Sequence, residues 1–316
     1  MRIMIISGSA RSPNNCPDQA GKTEELARVA GAELRKLGVE VDPLSLAVEE
    51  SGQSMVQPCK GCVSTAGGWH CTWRVDAEAR GCTCYGPKSA NKKVPDLMHD
   101  REVYRRLGDA DGFMVVMPVY WYGPPTQVKA MFDRLVCANM TLPAEYVERL
   151  TDGDSKNATK TRELERRGTG EAHLRNWLEG RTAAFLAHGD DGADDYAGTR
   201  RRRAPPSLRA QGEGPDWLLD PTIACQAFAA QCRYSGIWVD DDLVVGRIIN
   251  RRRSYGQGND RFAQGADETE SLKDTARALA SKLAEACAGR RPKPTVPLTD
   301  DATNERAKQA KRAKKQ

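Results

Sequence analysis

The sequence predicts an α/β protein built on a doubly wound parallel sheet, and three observations predict it. Short apolar runs alternate with stretches of helical apolar spacing along most of the chain, which argues for strands covered by helices on both faces. The first 41 residues already read as one β-α-β unit. Several runs also deliver loops rich in glycine and small hydroxyl residues, and in such a sheet those loops emerge on one side of the molecule.

Each element follows from its pattern. Met1 to Ser7 is an apolar first strand; Lys22 to Leu37 has helical spacing and stops at Gly38, and Val39-Glu40-Val41 resumes an extended pattern. A helix is expected from Val94 to Ala110, a strand over 112–117 and a helix from Pro124 to Cys137. A strand from Thr182 to His188, a helix from Thr222 to Ser235, a strand from Gly236 to Asp240 and a last helix from about Asp267 to Ala288 complete the body. Residues 51–93, 138–180 and 190–220 break the rhythm and lack the apolar content of a second core. They read as insertions on one domain spanning 1–288.

The net charge of +5 comes from the end of the chain. Residues 289–316 hold nine Lys and Arg against three Asp and Glu, a net of +6, which leaves the rest at −1. That basic tail reads as a solvated, disordered terminus, so a nucleic-acid partner is not expected. No run approaches the ~18 apolar residues of a membrane span, and the N-terminus lacks a signal-peptide core. Cytoplasm is the expected compartment, where ten cysteines point first to metal or redox chemistry.

Three loops carry the functional signal. After the first strand comes Ser7-Gly8-Ser9-Ala10-Arg11-Ser12, and Gly21-Lys22-Thr23-Glu24 then opens a helix. Backbone N–H groups, hydroxyls and the helix dipole suit a phosphate there, and an ordinary capped turn has the same ingredients. The nucleotide-binding G-x-x-x-x-G-K-[ST] loop is excluded, because the position five before Gly21 is Cys16. The strand 112–117 leads into Pro118-Val119-Tyr120-Trp121-Tyr122-Gly123, an aromatic turn suited to a flat aromatic cofactor, since three consecutive aromatics cannot all point inward. The third loop follows the strand Thr182 to His188 and reads His188-Gly189-Asp190-Asp191-Gly192.

Gly8-Ser9-x-Arg11, the Pro118-Val119-Tyr120-Trp121 turn with Lys129 and Asp133-Arg134 in the next helix, and the Gly189 loop together resemble the NADPH-dependent FMN reductase branch of the flavodoxin-like family. The resemblance covers roughly residues 1–135 and 180–288. It implies a five-stranded parallel sheet in the order 2-1-3-4-5, FMN at its carboxyl edge, NAD(P)H as co-substrate, and dimers or tetramers. Ser9, Arg11 and Thr23 would hold the phosphate with Lys22 beside them. Pro118, Val119, Tyr120, Trp121, Tyr122 and Gly123 would flank the ring, Gly189 would lie under it, and His188 would face the flavin or simply bond to backbone. The loop before Gly21 is longer than the family's, with Asn14 to Asp18 inserted.

Cys59-Lys60-Gly61-Cys62, Cys71 and Cys82-Thr83-Cys84 form the cysteine segment. Its Pro58-Cys59-x-Gly61-Cys62 start is similar to the iron-sulfur flavoproteins, a sister branch with a [4Fe-4S] cluster, although the later cysteines here stand further away. A cluster, zinc at the same thiolates, or no metal all fit the spacing. The expected activity is an FMN-dependent oxidoreductase, an NAD(P)H-dependent flavin or quinone reductase without an acid-base constellation of its own. The alternatives are an iron-sulfur electron carrier serving an electron-transfer protein, and a non-catalytic module that keeps the fold.

Overall fold

In the computed structural model the described residues are 1–11, 21–47, 55–60, 85, 93–120, 123–138, 140–141, 175–176, 178, 180–190, 221–249 and 266–290. The expected insertions and the tail beyond Arg290 therefore lie largely outside them.

Five strands form one parallel sheet: β1 (Arg2–Ser7), β2 (Glu40–Ser45), β3 (Gly112–Pro118), β4 (Thr182–Asp190) and β5 (Val244–Ile249). Their order is β2-β1-β3-β4-β5, as the resemblance implies. Pro43, which has no N–H to give a ladder, sits in the edge strand β2. A separate two-residue ribbon pairs Met140–Thr141 with Arg175–Asn176.

The central strands are apolar on both faces because helices cover both. Met4, Ile6, Phe113, Val115, Met117, Phe185 and Ala187 point to one side. They meet α2 (Leu97–Asp100), α3 (Val103–Asp109), α4 (Thr126–Ala138) and α5 (Ile223–Tyr234). There the rings of Phe132 and Phe228 stack with centroids 4.4 Å apart. Ile3, Ile5, Met114, Val116, Ala184 and Leu186 point the other way, against α1 (Lys22–Lys36) and α6 (Ala266–Gly289). This alternation determines which face each strand-end residue serves.

Two elements differ from the sequence expectation. The helix expected over Val94 to Ala110 is two, broken where Glu102 takes a left-handed φ of 50°. The strand expected at Gly236 to Asp240 touches the sheet only at a single Thr182–Trp238 bridge. Ile237 and Val239 are buried while Trp238 is exposed, so this connector alternates like a strand. Asp241–Leu243 then make a helical turn, and the fifth strand is Val244–Ile249.

Candidate functional site at the carboxyl edge

The loop after β1 is drawn in tightly. Gly8 N–H donates to Val116 O at 2.7 Å, and a Cβ on Gly8 would lie 2.5 Å from Val128 Cγ2 and 3.1 Å from Met117 Cβ. Only a glycine lets the chain pass α4 this closely. Next, the buried Ser9 Oγ accepts Arg11 N–H at 3.1 Å. The Arg11 side chain then runs past Gly21, which precedes α1 in an extended conformation and supplies no side-chain cap. Arg11 Nε is buried and has no hydrogen-bond partner among the described residues.

The loop after β3 begins with Val119, whose N–H donates to His188 O at 2.8 Å. Tyr120 and Gly123 exchange both backbone bonds, Tyr120 N–H to Gly123 O at 2.9 Å and Gly123 N–H to Tyr120 O at 3.0 Å, which closes a tight turn. Tyr120 is 45% exposed, so this ring does not serve the core. Trp121 and Tyr122 lie outside the described residues.

The end of β4 joins the other two loops. Gly189 sits under Val119, where an added Cβ would come within 3.2 Å of Val119 Cβ. His188 continues the face of Ala184 and Leu186 towards α1, and its Nε2 lies 2.9 Å from Thr23 Oγ1. Both side chains are buried. Desolvation, aided by the positive charge of Lys22, lowers the His188 pKa to about 4, so the ring is neutral at physiological pH. The sequence left two roles open for His188; its ring bonds to a hydroxyl of α1 and its carbonyl to the loop after β3.

Of the five cysteines proposed as ligands, Cys59 is described, half-buried and in no disulfide, while Cys62, Cys71, Cys82 and Cys84 lie outside the described residues. Among the described residues no group of three or more His, Cys, Asp and Glu has the arrangement of a metal site. The two ends of the cysteine segment are nevertheless held together, since Tyr85 Oη donates to Pro58 O at 2.8 Å. The near end is also tied to α4, where Val56 N–H donates to Gln127 Oε1 at 2.7 Å, and to the residue before α2, where Gln57 N–H donates to Asp96 Oδ1 at 3.3 Å.

Asp96 in turn receives a bidentate pair from Arg134 of α4, at 2.5 and 2.8 Å, and both side chains are fully buried. The guanidinium lies between the rings of Tyr85 and Tyr104, 5.1 and 5.8 Å from their centroids. Sequence reading includes Arg134 in the motif but misses its partner, 38 positions upstream. An aspartate just before a helix reads as a cap, and nothing local marks it as the buried anion of a pair.

The donor set at the β1–α1 loop fits a phosphate group. It combines an unpartnered buried guanidinium N–H, a serine hydroxyl and the first turn of a 15-residue helix. Sheet order and loop placement define a flavodoxin-like fold. Within that fold, residues 1–150 match the model of the NADPH-dependent FMN reductase family. An iron-sulfur flavoprotein from Methanosarcina thermophila is 28% identical over 168 residues, which cover 52% of this chain and 70% of that protein. Two solved structures are also similar. RosB with a bound flavin-phosphate intermediate is 11% identical, covering 99% of this chain and 87% of that one with a TM-score of 0.47. The azoreductase AzrA is 14% identical, covering 89% of this chain and all of that one with a TM-score of 0.45. Among the described residues no helix is long and apolar enough to cross a membrane.

Proposed function

We propose that the chain is an FMN-dependent oxidoreductase that takes reducing equivalents from NAD(P)H and passes them to a small acceptor such as a flavin or quinone. The observation that carries this reading is the buried, unpartnered Arg11 Nε beside Ser9 and the head of α1, within a sequence region that matches a family of FMN reductases. Bound FMN would supply the hydride and electron chemistry.

The chain's own residues bind and orient. Ser9, Arg11, Lys22 and Thr23 hold the phosphate end, with Arg11 contributing a charge-assisted hydrogen bond. Pro118 to Gly123 form one wall of the ring site, and Gly189, packed under Val119, supports it. No protein acid or nucleophile is required. A soluble homo-oligomer in the cytoplasm, with residues 1–288 as one domain and a basic tail, completes the proposal.

A second reading is supported by the Tyr85–Pro58 bond, which joins two described residues on either side of the cysteine segment, and by the likeness to an iron-sulfur flavoprotein. In that reading the segment holds a [4Fe-4S] cluster, and the acceptor is an electron-transfer protein. The two are separated by purifying the full chain anaerobically and measuring FMN, iron and acid-labile sulfide per chain. One FMN without iron supports the reductase; about four irons and four sulfides with FMN support the carrier. A chain that takes up no FMN contradicts both.

A further inference from the structure

His188 ties two parts of the site together. Its carbonyl holds the N–H of Val119, where the ring-side loop begins, at 2.8 Å. Its ring Nε2 holds Thr23 Oγ1, in the first turn of α1, at 2.9 Å. The two side chains are only 5% and 2% exposed, so water does not compete for this contact.

A hydroxyl has one hydrogen to give, and a neutral imidazole has one N–H and one lone pair. With the imidazole proton on Nδ1, Nε2 takes the Thr23 hydrogen and the hydroxyl keeps none for an anion. With the proton on Nε2, the ring donates to Thr23 Oγ1, and the Thr23 O–H stays available to a further acceptor at the head of α1. An anion there favours the second arrangement. Lys22 and burial keep the ring neutral, so it has a single proton to place.

We propose that His188 is a positioning residue that, through an Nε2–H···Oγ1 bond, turns the Thr23 hydroxyl towards the phosphate of FMN and so makes the site discriminate FMN from unphosphorylated riboflavin. This rests on the flavin reading given above. His188 itself touches neither the phosphate nor the ring; its effect passes through Thr23.

The test is the dissociation constant of FMN and of riboflavin for the full chain and its His188→Leu, His188→Gln and Thr23→Val variants. His188→Leu and Thr23→Val each weaken FMN about tenfold, the worth of one hydrogen bond to a charged group, and leave riboflavin within about twofold. The double variant that combines His188→Leu with Thr23→Val is no weaker than the worse single one, because both remove the same bond. His188→Gln, whose amide N–H can donate to Oγ1, recovers most of the FMN affinity. If His188→Leu does not fold, Thr23→Val and His188→Gln still carry the comparison. Equal losses for FMN and riboflavin, or wild-type FMN affinity in His188→Leu, overturn the proposal. A wild-type chain that binds neither flavin gives a different result and overturns the cofactor reading itself.

Discussion

Thr23 and His188 stand 165 positions apart and meet through a buried 2.9 Å hydrogen bond that joins the first turn of α1 to the end of β4. The contact exists because the sheet order places β4 two strands from β1, and because His188 falls on the face that α1 covers. It is a long-range product of topology.

The first prediction is a pH dependence of stability. The folded His188 pKa is lowered to about 4, against 6.5 for an unperturbed histidine, so between those values the unfolded chain binds more protons. Stability from this group is therefore complete above about pH 6.5 and falls as pH drops towards 4. Lys22 acts in the same direction, and Arg247, in register with His188 on β5, directs its guanidinium to Thr275 Oγ1. Urea unfolding of the chain is expected to lose about 2 kcal/mol between pH 7 and pH 5 from this group, and His188→Gln removes that component of the slope. A slope unchanged by His188→Gln contradicts it.

The second prediction concerns Arg134 and Asp96. Replacing Arg134 with Leu leaves the Asp96 carboxylate buried without its bidentate partner, and a loss of about 3–5 kcal/mol is expected in urea unfolding. The change also removes the Asp96-mediated tie between the base of the cysteine segment and α4, leaving the Val56–Gln127 bond as the other, so Cys59 is expected to react faster with a thiol reagent under native conditions. An Arg134→Leu chain with wild-type stability and Cys59 labelling rates contradicts this role.

Much of the fold was legible because local signals agreed with the tertiary outcome. The runs at β1, β3 and β4 are apolar on both faces, and that pattern is what a central parallel strand needs. The strand at Gly236 to Asp240 misled because Ile237 and Val239 alternate with Trp238 in a connector that packs without pairing along β4. At the site, Ser9, Arg11, Thr23, Val119, His188 and Gly189 were expected from the strand-end loops together with the family resemblance. The pairs Thr23–His188 and Asp96–Arg134 were not, since sequence spacing carries no record of which distant side chains a sheet brings together.

A third prediction follows from the packing at Gly8. Alanine there sets its Cβ against Val128, Met117 and the Val116 carbonyl, so either the loop or α4 must shift. Gly8→Ala is expected to cost about 1–3 kcal/mol of stability and to weaken FMN binding, because the same loop carries Ser9 and Arg11. Thermal unfolding and FMN titration check it together; a variant with wild-type values in both would show that the close approach has no consequence.

The fourth concerns Arg11. Its buried, unpartnered Nε is expected to pair with the phosphate, so Arg11→Ala weakens FMN about tenfold or more and leaves riboflavin almost unaffected. Equal affinity of both flavins for the variant and the wild type would place the phosphate elsewhere.

The most direct test is the visible spectrum of the FMN-loaded chain under anaerobic conditions during addition of NADPH and then NADH. At least one nucleotide is expected to bleach the bound flavin, and oxidised free flavin or a quinone to restore its colour. A fully loaded flavin that neither nucleotide reduces would contradict it.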